Sequence, residues 1–596
     1  MRSSRQTRIN RRWVIKPPSR AAAELARQLK VSDLLAQLLV NRGLGAADTA
    51  AGFLRPRLSD LIPPDRMPGV EAAVRRLKQA LDNSEKITIY GDYDVDGITG
   101  VAVLWRLLST LGADVDYYIP HRIEEGYGLN RMAVASLAES GTKLLITVDC
   151  GIAAAESAGL AGRLGMDIII TDHHEPAAVL PPAAAIVHPA LRDDYPNKDS
   201  SGSMVAFKLS WALANEFRTG RRLEGDLRQF MLDAAVLAAM GTIADVVDIR
   251  GENRSITSYG LRALPHCRLA GIRALVESAR LDGGVGTDQV AFRLAPLLNA
   301  AGRMGHARLA VELLITHDKT QAARIAAYLQ NQNVQRRKSE RRILEQALEM
   351  TACRNLDQTG NCGLVLAGRG WHAGVVGIVA SRIVEKFCRP AILICLPAEG
   401  RAGDGMLAQG SARSIEGFDI LNAIRSCAGH LAGFGGHKMA AGLRLRPENV
   451  DMFAADFENY ANRHLDSSDV VRKLHVDASV PLGRLQSEMV EELRMLEPFG
   501  PGNPEPVLAT ESVRLAAAPR KVGSSGGHLQ LAVTDGKASR RCIGFGMGHL
   551  EKKLIDGEVF DVAYRPQIDT YAGGRSVELV LADVRFDGER PERPPA

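Results

Sequence analysis

Short hydrophobic runs alternate with helix-like segments between about residues 71 and 250. The strand-like runs are residues 86–90, 114–119, 144–148 and 167–171. The segments between and after them carry apolar residues at helical spacing, at 101–111, 131–140 and 153–164. Strands that alternate with helices in this way form βαβ units and a parallel sheet. The pattern therefore predicts an α/β fold here, with a further buried helix at residues 230–242.

A long polar stretch follows this region. No glycine or proline occurs between His306 and Thr359. A helix of about 35 residues would be about 50 Å long, and a helix that is polar all round often bridges two domains. We predict a connecting helix within residues 318–359, and two helices joined by an unmarked turn are the alternative.

The rest of the chain divides into a second α/β segment and a β-rich tail. Residues 360–465 carry strand-like runs at 363–366 and 391–396 around a helix at 375–387. Between about 466 and 590, short alternating runs are separated by Gly-rich turns, which is typical of a small β-barrel or sandwich. The expected domains are a basic leader with short helices, the first α/β domain, the connecting helix, the second α/β domain and the tail, at residues 1–70, 71–317, 318–359, 360–465 and 466–590.

Composition narrows the class of protein. The chain has 596 residues, of which 46% are hydrophobic and 24% charged, and no apolar run reaches the ~20 residues of a membrane span. Its eight cysteines include no Cys-x-x-Cys pair, which favours a reducing compartment and argues against a zinc knuckle. The segment after Arg11-Arg12 is too polar for an export signal, so we expect a cytoplasmic protein without a membrane partner. A net charge of +5 permits a nucleic-acid partner without requiring one.

Acidic or acid–histidine clusters follow three of the strand-like runs. They are Asp92-Tyr93-Asp94-Val95-Asp96-Gly97, Asp149 and Asp172-His173-His174. Ligands of open α/β sheets bind beyond the carboxyl ends of the strands, so these side chains should converge on one crevice. Carboxylates packed so closely repel one another unless divalent metal neutralises them.

Oxygen-rich sites with few imidazoles suit Mg²⁺ or Mn²⁺ better than structural zinc. Two such ions would form a clamp for phosphoryl transfer. We expect Asp149, on a central strand, to bridge them and Asp245 to add a carboxylate from the far side; Asp149 alone could instead be a helix N-cap. His174 should point differently from its neighbour, towards a phosphate. Asp92 is left open as a ligand, a support for the ligands or a turn former.

These residues resemble the motifs of a known family. Asp94-x-Asp96-Gly, Asp149, Asp172-His173-His174 and the acid of Gly241-Thr-Ile-Ala-Asp245-Val-Val resemble those of the DHH phosphoesterases. Gly435-Gly-His437-Lys-Met-Ala-Ala-Gly442 is similar to the signature of their accessory DHHA1 domain, and residues 371–382 and 496–506 match a nuclease branch of the family. The resemblance implies an α/β protein in which a long helix joins a DHH-type parallel-sheet domain to a smaller DHHA1 domain, followed by an OB-like β-barrel.

The resemblance also implies roles for individual residues. It implies metal ligands at Asp94, Asp96, Asp149, His173 and Asp245, with His174 in the catalytic cluster. It implies a pocket for a 5′-phosphate at Arg122, Ser411 and Arg413, transition-state support from Arg303, and contact of His437 with the strand backbone. Guanidinium forks grip phosphate oxygens, although a surface salt bridge is the alternative for each arginine.

Three points remain open in the sequence. Tyr127 could stack on a base or belong to the core. The glycines of residues 433–442 could bring backbone N–H groups to an anion or form a plain turn. The barrel could grip a single strand or be a structural cap; its few aromatic residues include Phe545, Tyr564 and Tyr571. Ser201-Gly202-Ser203-Met204 replaces a usually Gly-rich turn, which puts local substrate positioning in doubt.

The expected protein is a monomeric, metal-dependent exodeoxyribonuclease with two Mn²⁺ or Mg²⁺ ions. It would degrade single-stranded DNA from the 5′ end, releasing 5′-mononucleotides in repair and recombination. The resemblance to the family suggests a single-strand-binding protein and a helicase as partners. A hydrolase of short oligonucleotides or cyclic dinucleotides is one alternative, and a replication scaffold that has lost its chemistry is another.

Overall fold

The structure is a computed structural model. It describes residues 11–587 apart from 123, 219, 221–222, 282, 357–359, 398–405, 467–468 and 570–575. The chain forms two compact units. The central unit is Arg57–Val471, and the terminal unit combines Met1–Pro56 with Arg472–Ala596.

The N-terminal part of the terminal unit contains one strand and three helices. They are β1 (Arg12–Ile15), α1 (Arg20–Leu29), α2 (Asp33–Asn41) and α3 (Ala47–Leu54). Ser32 caps α2, because its side chain accepts a hydrogen bond from the backbone N–H of Leu35. Short helices were predicted in this region, and residues 1–10 of the predicted basic leader lie outside the described residues.

The central unit begins with a five-stranded parallel sheet in the order β3-β2-β4-β5-β6. Its strands are β2 (Ile87–Gly91), β3 (Val115–Tyr118), β4 (Leu144–Val148), β5 (Asp167–Thr171) and β6 (Ala185–Val187). The first helices are α4 (Val70–Asp82), α5 (Val95–Thr110), α6 (Arg131–Glu139) and α7 (Ala155–Arg163). Hydrophobic clusters cover both faces of the sheet, which is why its central strands are almost purely apolar. Strand β3 pairs with one side of β2, and β4 pairs with the other side. The strand order therefore reverses beside β2.

A helical layer follows the sheet. Its helices are α8 (Gly202–Glu216), α9 (Gly225–Ala244), α10 (Gly251–Ala263), α11 (Ala270–Ser278), α12 (Thr287–Gln289), α13 (Ala295–Arg303) and α14 (Ala307–Ile315). Of the described helices, only α9 has the length and hydropathy of a membrane span, and 61% of that window is buried inside the protein.

The connecting helix is continuous. Helix α15 (Lys319–Cys353) has 35 residues, and Asp318 caps it by accepting hydrogen bonds from Thr320 N and Gln321 N. The alternative of two helices with a turn is wrong, because one helix spans the whole polar stretch.

A second sheet of five strands follows α15 in the order β10-β11-β9-β8-β7. The elements are β7 (Leu364–Arg369), α16 (Ala373–Phe387), β8 (Ala391–Leu396), β9 (Ala408–Arg413), α17 (Ile420–Ser426), β10 (Leu431–His437), β11 (Ala440–Leu445) and α18 (Val450–His464). The Gly-rich residues 433–442 lie in a β-hairpin, and their contact with an anion stays a prediction. They form the antiparallel pair β10–β11, with β10 at the edge of the sheet.

The tail is a closed barrel, as predicted. Its elements are β12 (Lys473–Val476), β13 (Ala478–Ser479), α19 (Ser487–Leu493), β14 (Leu508–Val522), β15 (His528–Thr534), β16 (Ser539–Gly544), α20 (Glu551–Asp556), β17 (Phe560–Asp569) and β18 (Ser576–Phe586). The pairing of β14 with β17 closes the barrel. Its core is shared with α1–α3, and β1 pairs with β12 in parallel. The N-terminal helices are therefore part of the barrel unit.

Candidate metal centre

The three acidic clusters meet where the strand order of the first sheet reverses. Asp92 and Asp94 follow β2, Asp149 follows β4, and His173 lies just beyond β5. The carboxyl ends of neighbouring parallel strands share one edge, so the sheet itself brings these side chains together. Asp245 reaches them from the C-terminal end of α9.

The first cluster is held by the start of α5. Asp94 caps this helix, since its Oδ1 accepts hydrogen bonds from Asp96 N at 3.0 Å and Gly97 N at 3.1 Å. Asp96 lies in the first turn and is almost completely buried. Its carboxylate accepts hydrogen bonds from Gly202 N at 2.5 Å and Ser203 N at 3.0 Å, so the start of α8 fixes its orientation.

The turn at residues 201–204 therefore supports the carboxylate cluster. The sequence departure there was expected to affect substrate positioning and not the metals. A Cβ on Gly202 would lie 2.7 Å from the Asp149 side chain, and one on Gly241 would lie 2.1 Å from Ser203 Oγ. The expectation stays a prediction, and the structure adds that this segment packs directly against Asp96 and Asp149.

His173 stands at the centre of the carboxylates. Its Nε2 lies 3.0 Å from Asp149 Oδ1, 3.6 Å from Asp245 Oδ2 and 3.9 Å from Asp96 Oδ2. His173 Nε2 and Asp149 Oδ1 are buried, and neither has a hydrogen-bond partner among the described residues. Buried polar atoms without partners are costly unless a ligand satisfies them.

The donor atoms fall into groups that suit two cations. The ligand atoms of Asp96, His173 and Asp245 lie within 4.8 Å of one another, and so do those of Asp92, Asp94 and Asp149. A set of carboxylates with one imidazole is the chemistry that Mn²⁺ and Mg²⁺ favour. These residues fit two divalent ions, with Asp149 near both groups.

Burial and mutual repulsion perturb these carboxyls strongly. Burial, followed by the charges of Asp96 and Asp94, raises the pKa of Asp245 to about 9. The same causes hold the pKa of Asp149 well above its ordinary range. Burial and the neighbouring Asp94 raise the pKa of Asp92. Bound cations would remove this cost, because they stabilise the charged forms.

His174 turns towards a different partner from His173. Its Nδ1 lies 2.8 Å from Asp172 Oδ1. Burial alone would lower the pKa of His174, but its bond to Asp172 raises that pKa above the ordinary value. Asp172 also accepts hydrogen bonds from the backbone N–H groups of Ile152, His173 and His174. Asp172 therefore orders this turn.

Two further residues contact His174. The Tyr127 hydroxyl lies 3.1 Å from His174 Nδ1 and donates to the backbone carbonyl of Asp149 at 3.1 Å. Tyr127 is 53% exposed, so it is not a core residue. His188 is fully buried and bonds through Nε2 to the backbone carbonyl of His174 at 2.8 Å. Sequence reasoning missed His188, which carries no motif and lies on the turn after β6.

An arginine cluster adjoins the carboxylates. Arg303 donates to the backbone carbonyl of Gly374, near the start of α16, at 2.9 Å. Burial, followed by the charges of Arg122, Arg336 and Arg413, lowers the pKa of Arg303 to about 9. Cations that repel one another in this way favour an anion between them.

Two of the remaining predicted phosphate residues, Ser411 and Arg413, lie beside α16. Arg413 donates to Ser411 Oγ at 3.2 Å, and a Cβ on Gly377 would lie 2.8 Å from the same oxygen. The guanidinium of Arg122 lies 4.6 Å from the centre of the Tyr93 ring. His437 is exposed at the end of β10. No hydrogen bond within the described residues joins it to the arginine cluster.

The barrel aromatics differ from one another. Phe545 is 62% exposed and packs edge-on against His528, with ring centres 5.4 Å apart. Tyr564 is completely buried and bonds to Thr510, so its ring is not exposed to stack on a base. Tyr571 lies outside the described residues.

Fold and site together define a DHH-type protein. The chain matches the DHH family, N-terminal domain, over residues 86–242, the DHHA1 domain over 360–463 and the RecJ OB domain over 476–583. It is 39% identical over 576 residues to the single-stranded-DNA-specific exonuclease RecJ of Bacillus subtilis (strain 168), covering 96% of this chain and 70% of that protein.

Solved structures agree with this match. RecJ from Thermus thermophilus in complex with Mn²⁺ superposes with a TM-score of 0.82 at 32% identity, covering 98% of this chain and 80% of that one. Its complex with Mg²⁺ gives a TM-score of 0.76 at 31% identity, covering 98% and 79%. The chain belongs to the RecJ family of single-stranded-DNA-specific exonucleases.

Proposed function

We propose that this protein is a single-strand-specific 5′→3′ exodeoxyribonuclease that hydrolyses phosphodiesters with two divalent cations, Mn²⁺ or Mg²⁺. It releases 5′-mononucleotides and acts in DNA repair and recombination. The observation that carries the proposal is the meeting of buried ligand atoms, which lack a hydrogen-bond partner among the described residues, with an arginine cluster beside them.

The proposed ligands are Asp94, Asp96, Asp149, His173 and Asp245. When bound, the two cations supply a reactive water at neutral pH and stabilise charge on the phosphate. The protein's own part is to hold the ligands in place: Asp94 through the cap of α5, and Asp96 through the start of α8.

The arginines would bind the phosphates of the substrate. Arg303 would bind oxygens of the scissile phosphate, and Arg122, Ser411 and Arg413 would hold the 5′-phosphate, which fixes the direction of digestion. His174 would donate a hydrogen bond to a phosphate oxygen, since Asp172 orients its ring and raises its pKa. Tyr127 would contact the terminal nucleotide, and His437 the strand backbone.

The domain boundaries at residues 71–317, 318–359, 360–465 and 466–590 are part of the proposal, and the three family matches lie inside them. The barrel would hold long strands, with Phe545 as an exposed platform. We further propose a cytoplasmic monomer that works with a single-strand-binding protein and a helicase. A non-catalytic scaffold is disfavoured, because every expected metal ligand is present.

End-labelled single strands test the proposal. With Mn²⁺ or Mg²⁺, we expect a 5′-labelled strand to release labelled mononucleotide at once and a 3′-labelled strand to shorten progressively. Asp149→Ala should abolish cleavage and retain strand binding. Asp116→Ala, which changes an exposed carboxylate on β3 of the same sheet, is the control and should cleave normally. Trimming from the 3′ end, or normal turnover by Asp149→Ala, would refute the proposal.

A further inference from the structure

The first part of α15 carries cations without any acidic residue. From Lys319 to Ser339 the helix contains five basic residues and no Asp or Glu. Beyond this stretch the usual pairs appear, such as Arg341 with Glu345 at 2.9 Å. The excess of positive charge is therefore confined to the first part of the helix.

The exposed side chains of this part line up along the helix. Arg324, Tyr328, Asn331, Gln335 and Lys338, which we call the α15 stripe, are all exposed. Their spacing of three or four residues places them on one side of an α-helix. The stripe is about 21 Å long at 1.5 Å per residue.

The buried face of α15 serves a different purpose. Residues such as Ala322, Ile325, Leu329 and Asn333 pack into the protein. Arg336, also buried, donates to Glu340 Oε2 at 2.8 Å. The two cations of the stripe are thus not needed for packing, and the described residues include no salt-bridge partner for Arg324 or Lys338.

The stripe also carries an aromatic platform next to the catalytic arginine. Tyr328 is 36% exposed, and its ring packs edge-on against His306, with centres 5.7 Å apart and planes at 77°. His306 is exposed and follows Arg303 by three residues. This pair therefore joins the α15 stripe to the segment that carries Arg303.

Cations, an aromatic pair and carboxamides on one face are the features that bind a single-stranded nucleic acid. Arg and Lys take the phosphates, and aromatic rings stack on unpaired bases. Asn and Gln can hydrogen-bond base edges. A basic face without aromatic residues would suit a duplex equally well, so Tyr328 and His306 favour the single strand.

We propose that the α15 stripe is a second binding track, which holds the part of a single-stranded nucleic acid that lies beyond the active site. This inference rests on the proposed nuclease function and adds a surface outside the catalytic pocket. The track makes affinity depend on strand length, because only strands that extend past the active site reach it.

The test compares strands of about 40 and about four nucleotides, since tracks of this kind span several nucleotides. The variant combines Arg324→Gln and Lys338→Gln, which removes both cations of the stripe. We expect its affinity for the long strand to fall about tenfold, a loss several times larger than the loss for the short strand. The slope of log K against log salt should fall by about 1.4, at roughly 0.7 per lost phosphate contact.

Arg341→Gln on the same helix is the matched control and should behave as the parent protein, because Arg341 is already paired. Tyr328→Ala should weaken long-strand binding roughly fivefold, whereas Tyr328→Phe should not, since it keeps the ring. Equal losses for long and short strands, or an equal loss for blunt duplex, would overturn the inference. If the parent protein failed to degrade single strands at all, the proposed function itself would fail.

Discussion

Gly241 illustrates how closely the residues around the metal centre fit. A Cβ at this position would lie 2.1 Å from Ser203 Oγ and 2.5 Å from Asp96 Oδ1. We expect Gly241→Ala to displace Asp96 and to lower Mn²⁺ affinity about 10- to 100-fold, as loss of ligand support does. Calorimetric titration of Mn²⁺ into the metal-free variant measures this effect.

The control for this substitution is Gly162→Ala on α7, where an added Cβ meets nothing within 4 Å. It should bind Mn²⁺ normally and gain at most about 1 kcal/mol of stability from helix propensity. Unaltered Mn²⁺ affinity in Gly241→Ala would show that Asp96 does not depend on this packing.

At the same scale, the sequence identifies ligands better than it identifies their supports. Asp149 and His173 were predictable because the ends of parallel strands meet at one edge. The support of Asp96 by Ser203 was not, because Ser203 lies 107 residues further along the chain. The contact of His188 with His174 was not either, because His188 carries no motif.

At the scale of elements, α2 is a structural part of the barrel. Leu39 is completely buried in the core that α1–α3 share with β14–β18. We expect Leu39→Ala to destabilise the terminal unit by about 2–5 kcal/mol. Hydrogen exchange should accelerate at the amides of β14–β18 and remain unchanged in β2 and β4, which belong to the central unit.

Ile555→Ala on α20 is the control. Ile555 belongs to the same unit and is 59% exposed, so we expect this substitution to change the free energy of unfolding by no more than about 0.5 kcal/mol. Unchanged protection of the barrel strands in Leu39→Ala would contradict a shared core. The sequence predicted short helices here but not their partner, because an apolar face indicates burial without identifying what covers it.

At the scale of the whole molecule, the metal centre should control how stability depends on pH. The pKa of an aspartate in an unfolded chain is about 3.9. The pKa of Asp245 in the folded, metal-free protein is about 9. Between these values the folded protein binds more protons than the unfolded chain. Its stability therefore falls as pH rises through this window.

Net charge cannot account for such a fall. The protein carries a charge of +5 at pH 7 and has a pI of about 8.7, so raising the pH reduces its overall repulsion. A loss of stability over this range must come from local sites, and the carboxylates of Asp96, Asp149 and Asp245 are the strongest candidates.

Thermal unfolding of metal-free and Mn²⁺-loaded protein between about pH 5 and pH 9 tests this account. Metal ligands must be deprotonated, so Mn²⁺ binds more tightly and raises Tm further as pH rises. We expect the metal-free Tm to fall across the range and the metal-induced shift to grow. Asp245→Asn should flatten the metal-free profile and reduce the shift at high pH, because it removes one titrating ligand. A metal-induced shift of the same size at every pH would mean that these carboxyls are already ionised without metal.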